Sequence, residues 1–216
     1  MSGRRTQTYH HGDLKNALVV AAARLIEKRR DTAFTVRELA GEAGVSHAAA
    51  YRHFSSKIDI LAAVAEAGFA ALGRAFADAA QAHPNDNVSE LRAQGEAYVR
   101  FAVAHTGYFR AMFHGDLGDH TAYPTLATVG GQSFQALVSV ITRGIAAGDF
   151  VGRTPLELAV MAWSTVHGLA TLLVDERMPS PAATPAMPTD LAHRVVDLLL
   201  TGLLPRGAHV GRDAEI

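Results

Sequence analysis

The run Thr35-Val36-Arg37-Glu38-Leu39-Ala40-Gly41-Glu42-Ala43-Gly44-Val45-Ser46-His47-Ala48-Ala49-Ala50-Tyr51-Arg52-His53-Phe54 decides how this chain is read. Its opening four residues form a capping box, in which the threonine side chain accepts from the backbone three residues on and the glutamate reaches back. A short helix therefore starts at Val36 and runs to about residue 43. Gly44 can take the left-handed conformation that ends a helix, and Ser46 offers a fresh N-cap. A second helix is expected from His47 to about Phe54. Ala50 and Phe54 would point inward beside Val36, Leu39 and Val45, leaving Ser46, His47, Ala48 and Tyr51 on the outer side. Two short helices across a tight glycine turn form the geometry that lets the second enter a DNA major groove, although short helical hairpins also occur elsewhere.

Outward from this hairpin the pattern stays helical. Leu14, Leu18, Val19, Ala22, Leu25 and Ile26 recur at helical spacing over 13–30. Ser56 caps again, with Asp59 three residues later, and Ile58, Leu61, Val64, Phe69, Leu72 and Phe76 carry a long helix to about Gln81. Further helices are expected over 89–105, 108–114 and 123–147, the last closed by Gly148. Thr154, Pro155 and Glu157 combine an N-cap, a first-turn proline and a capping glutamate, opening a helix to about Asp175. Residues 178–188 hold four of the eight prolines and read as a loop, followed by a helix over 190–204 that Pro205 stops. No stretch alternates apolar and polar residues as a half-buried strand does, so the class is all-α. The organisation expected is a helix-turn-helix head over 1–60, a helical body over 61–204 and a disordered tail over 205–216.

The 216 residues carry a net charge of −1, but the distribution is uneven. Ten basic and six acidic residues precede residue 60, a net of +4, and all three lysines, Lys15, Lys28 and Lys57, lie there. The remainder is acidic by −5, so a basic module sits on an acidic body, as expected for a phosphate-binding head. The absence of cysteine excludes disulfides, thiolate metal sites and a cysteine nucleophile, and fits a reducing cytoplasm. The uncharged run from Leu158 to Val174 is short for a bilayer crossing and contains Ser164, Thr165 and His167, so a buried interface helix is expected and no membrane. No G-x-S-x-G, Walker loop, H-E-x-x-H or dinucleotide glycine pattern points to an enzyme.

The run from Thr35 through Lys57 closely resembles the N-terminal domain of TetR-type transcriptional repressors, and the likeness extends from about Leu14 to Leu61. Tyr108-Phe109-Arg110-Ala111-Met112-Phe113 and Trp163-Ser164-Thr165-Val166-His167-Gly168-Leu169 resemble a subgroup whose C-terminal domain is named for Trp-His-Gly. The resemblance implies that three N-terminal helices bind operator DNA and that the rest binds a small-molecule effector and dimerises. Thr35 and Arg37 would meet the phosphate backbone, Ser46, His47, Ala48 and Ala49 would face the groove, and Tyr51, His53 and Lys57 would touch phosphate. Arg4 and Arg5 would form either an arm into the minor groove or a solvated tail. With Ala48, Ala49 and Ala50 in the recognition helix, few hydrogen-bonding side chains remain and readout would lean on DNA shape.

The family analogy also implies an effector pocket, for which Phe101, His105, Phe109, Met112, Phe113, Phe134, Met161, Trp163 and His167 are the candidates, apolar with few polar anchors; each also reads as an ordinary core residue. His105, His114, Asp116, Asp119, His120 and His167 have metal-competent side chains at unspecific spacing, so no metal and no cofactor is expected. Helices 155–175 and 190–204 are apolar enough to pair with a second copy or to pack within one chain. The function expected is a repressor released from a palindromic operator by an apolar or aromatic molecule. A helical adaptor without specific DNA binding, or an activator, is the alternative.

Overall fold

A computed structural model describes residues 11–117, 122–151, 154–178 and 187–203, and all regular elements among them are helical. In chain order they are α1 (His11–Arg29), α2 (Val36–Glu42), α3 (His47–Tyr51), α4 (Lys57–Ala82), α5 (Asn87–Ala104), α6 (Thr106–Met112), α7 (Pro124–Ala147), α8 (Pro155–Val174) and α9 (Met187–Leu203). A 3₁₀ turn, Gly115–Leu117, follows α6. Arg4, Arg5, Asp119, His120 and the tail expected over 205–216 lie outside the described residues.

The local signals explain the starts and stops. In α2 the capping box forms, with Glu38 N–H donating to Thr35 Oγ1 at 3.2 Å and Thr35 N–H to Glu38 Oε2 at 2.8 Å. Gly44 is left-handed at φ +68°, which lets Val45 N–H reach back to the Ala40 carbonyl at 2.9 Å. Ser46 Oγ then accepts from Ala49 N–H, and Ser56 Oγ from Asp59 N–H, each at 3.2 Å. Thr154 and Glu157 close a second capping box at the start of α8.

Four boundaries differ from the sequence expectation, each for a physical reason. The helix α3 ends at Tyr51, not Phe54, because His53 and Phe54 both donate to the Ala50 carbonyl as the chain tightens and turns Phe54 inward. Helix α5 starts at Asn87 because Asp86 caps it, accepting from Ser89 N–H at 2.9 Å. Helix α6 begins at Thr106 and contains Gly107, because the missing Cβ there lets α6 lie directly on the Ala23 carbonyl of α1. Helix α9 begins at Met187, with Pro188 in the first turn, where its missing N–H costs no helical bond.

One apolar cluster runs through the molecule, from Leu18 and Ile26 of α1 through Leu39, Ala50 and Phe54 to Leu61, Leu72, Val99, Ile141, Ala170 and Leu200. Helix α4 is continuous across residue 60, so the expected boundary falls in its first turn. At about 1.5 Å per residue its 26 residues run close to 39 Å. It packs on α1, α5, α6 and α7. Both α4 and α8 have the length and composition of a membrane crossing, yet α8 packs against α5, α7 and α9.

Candidate DNA-reading head and ligand cavity

Helix α3 presents His47 and Tyr51 one turn apart on its outer face, their rings edge to face at 4.7 Å. Ser46, His47, Ala48 and Tyr51 are exposed, as are Thr35 and Arg37 across the turn. Ala49 is different: it is 6% exposed and packed inward beside Ala50, so it does not face outward as expected. Its position follows from helix geometry, since Ala49 and Ala50 together make the inward face of a five-residue helix. His53 and Lys57 are half-buried, with Lys57 Nζ 5.5 Å over the Phe34 ring.

Not every exposed head cation is free to meet a phosphate. Arg29 is paired on the surface within the head, donating to Glu38 at 2.7 Å and to the Ala33 carbonyl at 2.7 Å. That pair, with the Thr35 backbone N–H, holds the Glu38 carboxyl down at about 2. Arg52, exposed at the end of α3, was missed by sequence reasoning although it adjoins Tyr51 and carries a full charge.

Behind the head lies a cavity of about 490 Å³. Its walls come from Phe69, Leu72 and Phe76 of α4, Leu91, Gln94, Gly95 and Tyr98 of α5, and Gly130, Ser133, Phe134 and Leu137 of α7. Ala162, Trp163 and Val166 of α8 with Val196 and Leu199 of α9 close another side, and Met112 through Gly115, with Leu117, close the end. Four of the nine sequence candidates, Met112, Phe113, Phe134 and Trp163, are on this wall. Phe109 and His167 are behind it, their rings 5.2 and 4.5 Å from that of Phe113.

Phe101, His105 and Met161 are elsewhere. Phe101 is buried a turn beyond Tyr98 against the ring of His105, which is exposed. Met161 is 41% exposed, because two residues turn an α-helix by about 200° and so set Met161 opposite Trp163. The candidates had been chosen for aromatic and methionine chemistry. The wall is instead defined by spacing, with residues 69, 72 and 76, 91, 94, 95 and 98, and 130, 133, 134 and 137 each forming one helical stripe.

Polar groups at the wall are mostly bonded to one another. Trp163 Nε1 donates to Tyr98 Oη at 3.3 Å, and Tyr98 Oη lies 2.8 Å from His167 Nδ1. Burial lowers the His167 pKa and raises that of Tyr98, so both are held in their neutral forms and share one hydrogen bond whose direction follows the imidazole tautomer. Gln94 Nε2 donates to Glu90 Oε1 at 3.1 Å, and Glu90 in turn accepts from Arg143 at 2.6 Å. Among the described residues no group of three His, Asp or Glu side chains is placed to hold a metal ion; His114 has Asp116 at 3.8 Å.

Helix α6 touches both regions. Gly107 rests on α1, Arg110 donates to the Val174 carbonyl and pairs with Asp175 at the end of α8, and Met112 with Phe113 reaches the cavity. Beside it Arg30 and Glu176 pair at 2.5 Å, both at positive φ, joining the end of α1 to the end of α8.

A basic helix-turn-helix head, joined by shared helices to a helical body enclosing an apolar cavity, defines a DNA-binding regulator. Residues 18–64 match the sequence model described as bacterial regulatory proteins, tetR family, and residues 91–199 match tetracyclin repressor-like, C-terminal domain. The chain belongs to the TetR family of transcriptional regulators, whose fold is that of DNA-binding proteins and not of enzymes. No curated protein matches it. Among solved structures it is similar to a protein of unknown function from Rhodococcus sp. RHA1, at 32% identity and TM-score 0.76 over 92% of this chain and 100% of that one. It shares its fold with PfmR of Thermus thermophilus (23% identity, TM-score 0.70, 86% of this chain and 97% of that one). The fatty acid degradation regulator FadR of Bacillus halodurans has the same fold (17% identity, TM-score 0.72, 88% and 95%).

Proposed function

We propose that this chain is a one-component repressor that binds a palindromic operator as a homodimer in the cytoplasm and leaves it when a small apolar or aromatic effector fills the cavity. Residues 1–60 act as the reading head and 61–204 as the effector and dimer body. Ser46, His47, Ala48 and Tyr51 approach base edges and phosphates, while Thr35, Arg37, Arg52, His53 and Lys57 hold the backbone. Family members bind operators and small-molecule effectors and act as dimers.

The observation that carries release is the position of α6, which rests on α1 through Gly107 and ends in Met112 and Phe113 at the cavity. A ligand that displaces Met112 or Phe113 moves the helix on which α1 rests, so effector and operator compete through one two-state element. Dimerisation through α8 and α9 is supported by an outward apolar stripe: Leu156, Val160 and Leu172 on α8 are 57%, 46% and 44% exposed, and Leu198 on α9 is 74% exposed. Ser164 and Gly168 fill the intervening turns of that stripe, also exposed.

The test is operator-DNA anisotropy with a library of hydrophobic compounds. At least one compound is expected to lower operator affinity at least tenfold, reversibly. A full survey leaving affinity unchanged overturns the release mechanism.

A further inference from the structure

The polar inventory of the cavity wall specifies the chemistry of its ligand. Among the described residues that line it there is no Lys, Arg, Asp or Glu, and its one histidine, His114, stands at the end of the cavity with Nδ1 accepting from Asp116 N–H at 3.3 Å. Gln94 is 2% exposed and its carboxamide orientation is fixed, because Glu90, already accepting from Arg143, can only accept and so takes the amide nitrogen. Gln94 Oε1 is consequently left buried with no hydrogen-bond partner. Ser133, also buried, gives its single proton to the Val129 carbonyl at 3.1 Å. Tyr98 Oη accepts from Trp163 Nε1 and shares a second hydrogen bond with His167 Nδ1. Three wall side chains thus keep oxygen lone pairs, and the one fully buried side-chain polar atom of the wall with no partner is an acceptor.

Away from His114 at its end, such a wall penalises anions, since a carboxylate or phosphate beside Gln94 would be desolvated against oxygen lone pairs with no cation beside it. It favours a molecule that brings a donor, because a buried acceptor left unpaired is costly and a ligand hydroxyl removes that cost. We propose that the cavity takes a neutral, largely apolar molecule bearing a hydroxyl or N–H donor, which bonds to Gln94 Oε1, and that it discriminates against acids of the same skeleton. The volume of 490 Å³ corresponds to about 16 non-hydrogen atoms at the roughly 30 Å³ of a liquid water each. This rests on the cavity being the effector site.

Trp163, the sole tryptophan, lines the cavity and reports occupancy directly. The full chain is titrated at pH 8 with 1-decanol, methyl decanoate and decanoate, which present a neutral donor, a neutral acceptor and an anion on one chain. The alcohol is expected to bind about tenfold more tightly than the ester, with the acid weakest. Gln94→Met, which preserves volume, is expected to bring the alcohol down to the level of the ester and leave the ester within about twofold. Ester or acid binding as tightly as the alcohol overturns the donor proposal while leaving the effector site standing. No saturable change in Trp163 emission with any of the three overturns both. An unchanged alcohol preference in a folded Gln94→Met chain removes Gln94 as the recognising group, and the three-probe ranking in the unaltered chain stands independently of how that variant folds.

Discussion

Replacing Gly107 by alanine tests whether α6 is the element through which head and body communicate. A Cβ at this position would collide with the Ala23 carbonyl oxygen and carbon, with Ala23 Cα just beyond at 3.3 Å. All three are backbone atoms of α1, so no side chain can swing aside and the helices must separate. The contact being opened is fully packed: Ala22 and Ile26 of α1 and Ala111 of α6 are at 0% exposure. Overpacking costs about 1–3 kcal/mol where side chains can adjust, and a rigid backbone partner places this case at the upper end, about 3 kcal/mol. For a chain of 216 residues, each kcal/mol moves Tm by roughly 2–4 °C, so the melting point is expected to fall by about 6–12 °C. Operator affinity is expected to fall as well, because α1 and the head are displaced. Differential scanning calorimetry and anisotropy on the same preparation measure both. Gly131→Ala is the control, a helical glycine with nothing within 4 Å of the added carbon. A Gly107→Ala chain that melts with the control and binds operator normally would refute the close α1–α6 contact and the coupling drawn from it.

Three further outcomes are expected. Because Glu38 is held at about 2 against an ordinary value of 4.5, its pairing stabilises fully above about pH 4.5 and is lost as pH falls toward 2. The Tm difference between the unaltered chain and Glu38→Gln should therefore be constant from pH 7 to 5 and shrink below 4.5. A difference that grows on acidification would contradict the assignment. Arg37→Ala should weaken all duplexes alike and reduce the slope of log Kobs against log salt by about 0.9, the share of one phosphate contact. Gly168→Leu should leave helix content unchanged, since nothing within the chain lies within 4 Å of the added Cβ, while light scattering shows the proposed homodimer dissociating to single chains. A dimer that persists would place the interface elsewhere.

The fold was legible wherever a local signal sufficed. Thr35 with Glu38, Ser46, Ser56, Thr154 with Glu157, and Gly148 start or stop helices through groups a few residues away, and periodicity marks the segments between them. What could not be read depends on contacts remote in sequence. Gly107 looks like a helix breaker until Ala23 is placed against it. Met161 and Trp163 were grouped by chemistry, but only packing shows which turns inward. Gln94 is an unremarked polar residue in sequence, and its meaning arises from Glu90, whose carboxylate is held by Arg143 from α7. Ala49 is set at the groove by the family resemblance alone, and only the packing of the five-residue α3 shows that it shares the inward face with Ala50.

The central claim is that the α3 face reads DNA sequence, and the most direct measurement is selection of bound duplexes from a randomised pool by the full chain. Anisotropy on the selected sequence, with a scrambled competitor and a salt titration, then measures the specificity. The account predicts enrichment of an inverted repeat whose half-sites lie about 34–36 Å apart or a multiple of that. Affinity should survive competitor, weaken with salt and drop when Tyr51 or His47 is replaced by alanine. A pool that converges on no sequence, with selected and scrambled duplexes bound equally, would contradict it.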